Sequence, residues 1–112
     1  MKAYQINAET RTITEVTLGK DYKEIYPLLG VGVDMFQCVD INEKGDTIYV
    51  DEEGLLKPQE NFFVYKGYNQ PLAGNGVVLG TNAVGESTNP KVKIEEVIKN
   101  VTFLSRREAS EW

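Results

Sequence analysis

Tyr68-Asn-Gln-Pro-Leu-Ala-Gly-Asn-Gly-Val-Val-Leu-Gly80, followed by Thr81-Asn-Ala-Val-Gly-Glu-Ser87, gathers four of the ten glycines (Gly74, Gly76, Gly80, Gly85) and Pro71 around one short apolar run. Val77-Val-Leu79 is apolar at consecutive positions, so both faces of the segment are buried and it reads as the central strand of a sheet. The glycines on either side require tight turns, positive φ or a close backbone approach. A dinucleotide fingerprint is excluded here. Gly76 and Gly80 are separated by one residue too many for G-x-G-x-x-G, and a strand follows where a helix is needed.

Outward from this strand, the chain is punctuated into short elements. Lys2 to Ala8 alternates Tyr4 and Ile6 on one face, and Thr12 to Leu18 alternates in the same way. Ala8-Glu-Thr-Arg11 joins the two as a hairpin turn. Asp21 with Glu24 predicts a capped helix start, continued by Ile25, Leu28 and Leu29. Pro27 keeps that helix short, and Gly30 and Gly32 end it. Asp34–Ile41 and Asp46–Val50 read as strands joined by Asn42-Glu-Lys-Gly45. Asp51–Gly54 turns again, Leu55-Leu56 returns to apolar character, and Asn61–Tyr65 reads as a short strand or an ordered loop. Asn89-Pro90 predicts the start of a second helix, with Ile94, Val97, Ile98 and Val101 as its apolar stripe. Thr102–Leu104 reads as a strand, and Ser105 with Glu108 as a capping box before a last helical turn that ends at Trp112. Elements mixed in this order predict one α+β domain over residues 1–112. It has a small antiparallel or mixed sheet, two short helices and a C-terminal helical turn.

Composition excludes more than it assigns. The chain is 41% hydrophobic and 26% charged, with a net charge of −5, an ordinary globular balance. Its basic residues are scattered, with Arg106-Arg107 the one adjacent basic pair, which argues against nucleic acid as a partner. The acidity is too modest and too dispersed for a DNA mimic. No run of 18 apolar residues or basic-then-apolar leader occurs, so the expectation is a cytoplasmic protein without a membrane span. Histidine is absent, which removes Ser-His-Asp triads, Cys-His pairs and histidine-based zinc sites. Cys38, the single cysteine, lies among apolar neighbours in Met35-Phe-Gln-Cys-Val39 and is expected to be a buried small hydrophobe.

Four constellations resemble sites. Asp40, Asn42, Gly45, Asp46, Ile48 and Asp51 fall at calcium-loop spacing. However, Lys44 takes a position that needs an oxygen ligand, and a β-hairpin explains the segment better. Asp51-Glu-Glu53 at a glycine turn reads as a solvated loop, and Glu86-Ser87 lacks a base or an oxyanion partner. No catalytic residue, metal site or cofactor is therefore assigned. The fourth constellation is the aromatic group Phe62, Phe63, Tyr65 and Tyr68 between Pro58 and Pro71. With Asn69, Gly74, Asn75 and Gly76, these residues form the candidate binding site, since Tyr and Phe supply large contact areas at small entropic cost.

Tyr49-Val-Asp-Glu-Glu-Gly-Leu-Leu-Lys57, Asn69–Gly80, Gly85-Glu-Ser87, Ile94-Glu-Glu-Val97 and Val101-Thr-Phe-Leu104 together carry a resemblance. The chain resembles the small domain-of-unknown-function proteins of family 3846, common in tailed phages, cyanophages included, and in bacterial mobile elements. Lys93 stands where a Ser or Thr helix cap is expected. The family carries no assigned activity, so the resemblance implies provenance: a phage gene product working inside a bacterial host. The leading expectation is then a non-enzymatic accessory protein that binds a host protein and modulates metabolism or defence. The alternative is a small-molecule binder that sequesters a nucleotide signal, with a pocket at a homo-oligomer interface. There the Gly74–Gly80 amides would hold phosphates and an aromatic would stack on the base, with Lys66 the one basic residue near the loop. A virion component is a third expectation.

Overall fold

The computed structural model describes all 112 residues. Nine strands form two antiparallel sheets: β1 Lys2–Asn7, β2 Thr12–Thr17, β3 Phe36–Asp40, β4 Thr47–Asp51, β5 Asn61–Tyr65, β6 Leu72–Ala73, β7 Gly76–Thr81, β8 Ser87–Thr88 and β9 Val101–Ser105. The larger sheet runs β2-β1-β7-β4-β3, with β8 added to the far end of β7. The smaller runs β6-β5-β9. Val77–Leu79 thus occupies the centre, paired with β1 on one side and β4 on the other, and all five residues Gly76–Gly80 are buried. The fold is α+β, with three short helices, the last at the C-terminus.

Each face of the large sheet has its own cover. On one face Ala3, Val77 and Leu79 pack with Leu18, Ile25 and Leu29. The last two come from a 3-10 turn, Tyr22–Ile25, that runs directly into α1, Tyr26–Leu29. Pro27 sits in the first turn of α1, where its missing N–H costs nothing. Asp21 caps the 3-10 turn by accepting from the Lys23 amide. The carboxylate of Glu24 lies instead over Gly19, where it would meet any added Cβ. On the opposite face Tyr4, Ile6, Val39, Ile48, Val50 and Val78 pack against Phe63, Tyr65 and Leu72 of the small sheet and Val97 of α2, Ile94–Asn100. Gly76 permits this contact. A Cβ there would lie 2.9 Å from both Ile48 Cγ2 and Phe63 Cζ, so the two sheets approach through the space that glycine leaves.

The second helix starts at Ile94, four residues after Pro90, with Lys93 as an extended N-cap that makes no side-chain capping bond. The Asn89-Pro90 start is therefore corrected, and the cause is visible. Buried Asp46 captures the amides of Lys91 and Val92 at 2.8 and 2.9 Å, holding that segment extended. Of the expected stripe, Val97 is buried, Ile98 is exposed, and Val101 has already entered β9. The capping box of Ser105 and Glu108 is present and starts α3, Arg106–Ser110. Cys38 is exposed, against expectation. It sits in the middle of edge strand β3, whose outer side has no neighbour to cover it.

Candidate functional site

The sequence-derived site residues do not converge. Phe63 is completely buried between the sheets, and Tyr65 is nearly so. Gly74 lies in the turn from β6 to β7 with φ +79°, its amide donating to Asn61 O at 2.9 Å. Asn75 accepts from the Ala8 amide (2.9 Å) and donates to Leu28 O (3.3 Å), tying β1 to the end of α1. Gly76 is the inter-sheet contact described above. The glycine-rich segment is therefore engaged in strand and turn structure, with Gly76–Val78 paired to a strand on either side. Phe62, on the outer face of β5, is half-buried, and Asn69 is exposed. Tyr68 packs against the rim of the core and accepts a hydrogen bond from Gln70 Nε2 (3.1 Å).

What the fold does assemble is an open cleft of about 800 Å³ at the junction of three loops and α2. The β3–β4 hairpin contributes Asn42 and Lys44, the end of β5 contributes Tyr65 and Lys66, and the segment before α2 contributes Lys91 and Lys93. Glu95, Glu96 and Asn100 line it from α2. The foundation is Asp46, fully buried, whose carboxylate also accepts from Asn42 Nδ2 at 2.9 Å. Asn42 in turn accepts from the Lys44 and Asp46 amides, so hairpin and pre-helix segment form one hydrogen-bonded unit. The spacing that mimics a calcium loop is thus used for internal donors: Asp40 accepts from Thr47 Oγ1, and Asn42 and Asp46 accept from amides. No cluster of three or more His, Cys, Asp or Glu is placed to hold a metal ion.

The electrostatics of this cleft reverse those of the whole molecule. Four of the twelve basic residues line it in a chain of net charge −5. None of the four enters any of the five ion pairs. Lys91 Nζ donates to Thr81 O at 3.2 Å, its one protein partner. Tyr65 Oη accepts from Asn100 Nδ2, which also reaches Glu96 Oε1, both at 3.4 Å. The phenol's own proton has no acceptor in the protein. Burial, with smaller contributions from Glu96 and Asp46, pushes the Tyr65 pKa up, against the lowering effect of Asn100. The group therefore stays a neutral donor across the physiological range.

Sequence reading named Tyr65 and Lys66 of this cleft but not the cleft itself, because its lysines come from three segments that only tertiary structure unites. The available signal was the pair Lys91 and Lys93 flanking Val92, next to a helix that opens with two glutamates.

The sequence model of one protein family, described as a domain of unknown function (DUF3846), matches residues 1–102. An uncharacterized protein, y4iR, of Sinorhizobium fredii (strain NBRC 101917 / NGR234) is 31% identical over 97 residues, covering 84% of this chain. The chain spans 58% of the length of that relative. No solved structure matches. The family match ends before α3, so α2 and the whole cleft lie within the matched residues.

Proposed function

We propose that this chain, which belongs to the DUF3846 family, acts by binding rather than by catalysis, and that its ligand is a small phosphorylated anion held in the lysine-lined cleft. The observation that carries this reading is the convergence of Lys44, Lys66, Lys91 and Lys93, free of carboxylate partners, on one cleft of an acidic protein. Ammonium groups gathered in one cleft without carboxylate partners repel, and a polyanion among them removes that repulsion while gaining charge-assisted hydrogen bonds. The cleft's volume lies in the range of small-molecule sites. This is the sequestering function that the sequence offered as its alternative, transferred from the glycine-rich segment to the lysines. It fits a cytoplasmic protein, where phosphorylated metabolites are abundant. No helix is long and apolar enough to cross a membrane.

Calorimetric titration with inorganic tripolyphosphate tests the reading. The protein should bind, more weakly as salt is raised, and the double variant Lys44→Ser/Lys66→Ser should lose at least tenfold in affinity. Both lysines are exposed, so the variant keeps its fold. Absence of binding by the unaltered protein would contradict the reading.

A second reading, the phage accessory protein that engages a host protein, is supported by a different surface. Leu55 and Leu56 are 65% and 85% exposed. Leu55 joins Phe62, Pro71 and Ala109 around an apolar hollow of about 290 Å³. Such contiguous apolar surface marks protein contacts. Under this reading a host polypeptide co-purifies with the chain, is lost with Leu55→Asp/Leu56→Asp, and is retained with Lys44→Ser/Lys66→Ser. The reverse pattern would sink it.

A further inference from the structure

The lysines are only one half of the cleft. Its helical wall presents two carboxylates on the first turn of α2, Glu95 and Glu96, followed one turn later by Asn100. A site for bare polyphosphate gains nothing from carboxylates and is weakened by them, since like charges repel. Neither Glu95 nor Glu96 takes part in an ion pair, so their oxygens are not committed to the lysines. An ionised carboxylate only accepts hydrogen bonds. The groups that suit this wall are therefore neutral or cationic donors, above all an amino group.

Resting on the phosphorylated-anion reading, we infer that the ligand is a nucleotide whose base carries an exocyclic amine. Its phosphates lie among Lys44, Lys66, Lys91 and Lys93, and its amine donates to Glu95 or Glu96. Carboxylates accept from base amino groups as they do from cytosine N4. The cleft volume accommodates a nucleotide. Tyr65, with its free phenolic proton, and Asn100 supply polar contacts between the two ends. A base with a carbonyl oxygen in place of the amine presents an acceptor to the two carboxylates and forgoes that hydrogen bond.

CTP and UTP probe this feature, since the two pyrimidines differ in bearing an amine or a carbonyl at C4, with N3 an acceptor in the first and a donor in the second. Calorimetric titrations with CTP, UTP and tripolyphosphate against the unaltered chain and against Glu95→Gln/Glu96→Gln test the inference. The expected result is that CTP binds about tenfold tighter than UTP, in line with one good base contact, and that the double Gln variant loses this preference while still binding tripolyphosphate. Equal affinity for CTP and UTP, with tripolyphosphate bound, would overturn the nucleotide inference and leave the anion cleft standing. Failure of all three to bind would overturn both. Glu95 and Glu96 are exposed and tie no elements together, so the variant folds, and thermal melting verifies it.

Discussion

Asp46 decides more of this structure than any other single residue. It is completely buried, yet three donors satisfy its carboxylate: the amides of Lys91 and Val92 and the side chain of Asn42. Replacing it with Ala strands those donors in the interior, at a cost on the order of 3 kcal/mol. Urea unfolding should show that loss together with loss of tripolyphosphate binding, because the lysine-bearing loops are no longer held together. Gly76 is the other residue without a substitute. The Cβ of Gly76→Ala would press on Ile48 and Phe63, both in the core, and should destabilise by about 1–3 kcal/mol through overpacking. Cys38 carries a prediction of a different kind. It is exposed, but partial burial of its thiol and the charge of Asp40 push its pKa up against the lowering effect of the neighbouring Tyr49. Iodoacetamide should therefore label the folded protein completely, but more slowly at neutral pH than a free thiol, because the thiolate is the nucleophile. Labelling only after denaturation would contradict the exposed placement. The apolar run around Cys38 misled the sequence reading. Burial depends on whether a strand lies at the edge, and no local pattern records that.

Among elements, β7 was the most legible. A strand apolar on successive positions needs cover on both faces, and β7 has the α1 layer on one face and the small sheet on the other. Its amides, paired on both sides over Gly76–Val78, should exchange with deuterium most slowly of all, at the rate of global unfolding. The edge strands β2 and β3 should exchange faster. The separation into two sheets was not legible. β6 is only two residues long, Leu72–Ala73, and β5 reads equally well as a strand of either sheet. The start of α2 escaped for a related reason: Asn89-Pro90 carries a local start signal, but a carboxylate more than forty residues away keeps the segment extended. α3, by contrast, was legible from its capping pair and carries a pH prediction. Hydrogen bonds from the Ser105 backbone and side chain, with help from Arg11, hold the Glu108 carboxyl below its ordinary value of 4.5. A carboxyl lowered in the folded state stabilises the cap above that ordinary value, and the contribution disappears as the pH falls through the lowered one. Chemical shifts of Arg106–Ser110 should follow this acidic transition, and Glu108→Gln should abolish it. An α3 that is insensitive to pH in the unaltered chain would contradict the capping box.

At the scale of the molecule, an acidic surface surrounds one basic cleft. Its four lysines and two glutamates were each visible in the sequence, but their proximity was not, since Lys44, Lys66 and Lys91 belong to different loops. Loops that a rigid scaffold brings together are where binding residues concentrate. Here the scaffold is the large sheet, with Asp46 fastening the loops above it. Of the aromatic residues that looked like a recognition surface, Phe63 serves the junction between sheets beside Gly76, while Tyr65 lines the cleft and Phe62 the apolar hollow. The central claim is that the lysine-lined cleft holds a phosphorylated ligand. Titrating tripolyphosphate into the 15N-labelled protein and following the assigned amide resonances tests it most directly. The account predicts shifts concentrated at Lys44, Lys66, Gly67 and Lys91–Lys93, with β7 and α3 unmoved. Resonances that stay still throughout, or that move instead around Leu55 and Phe62, would contradict it.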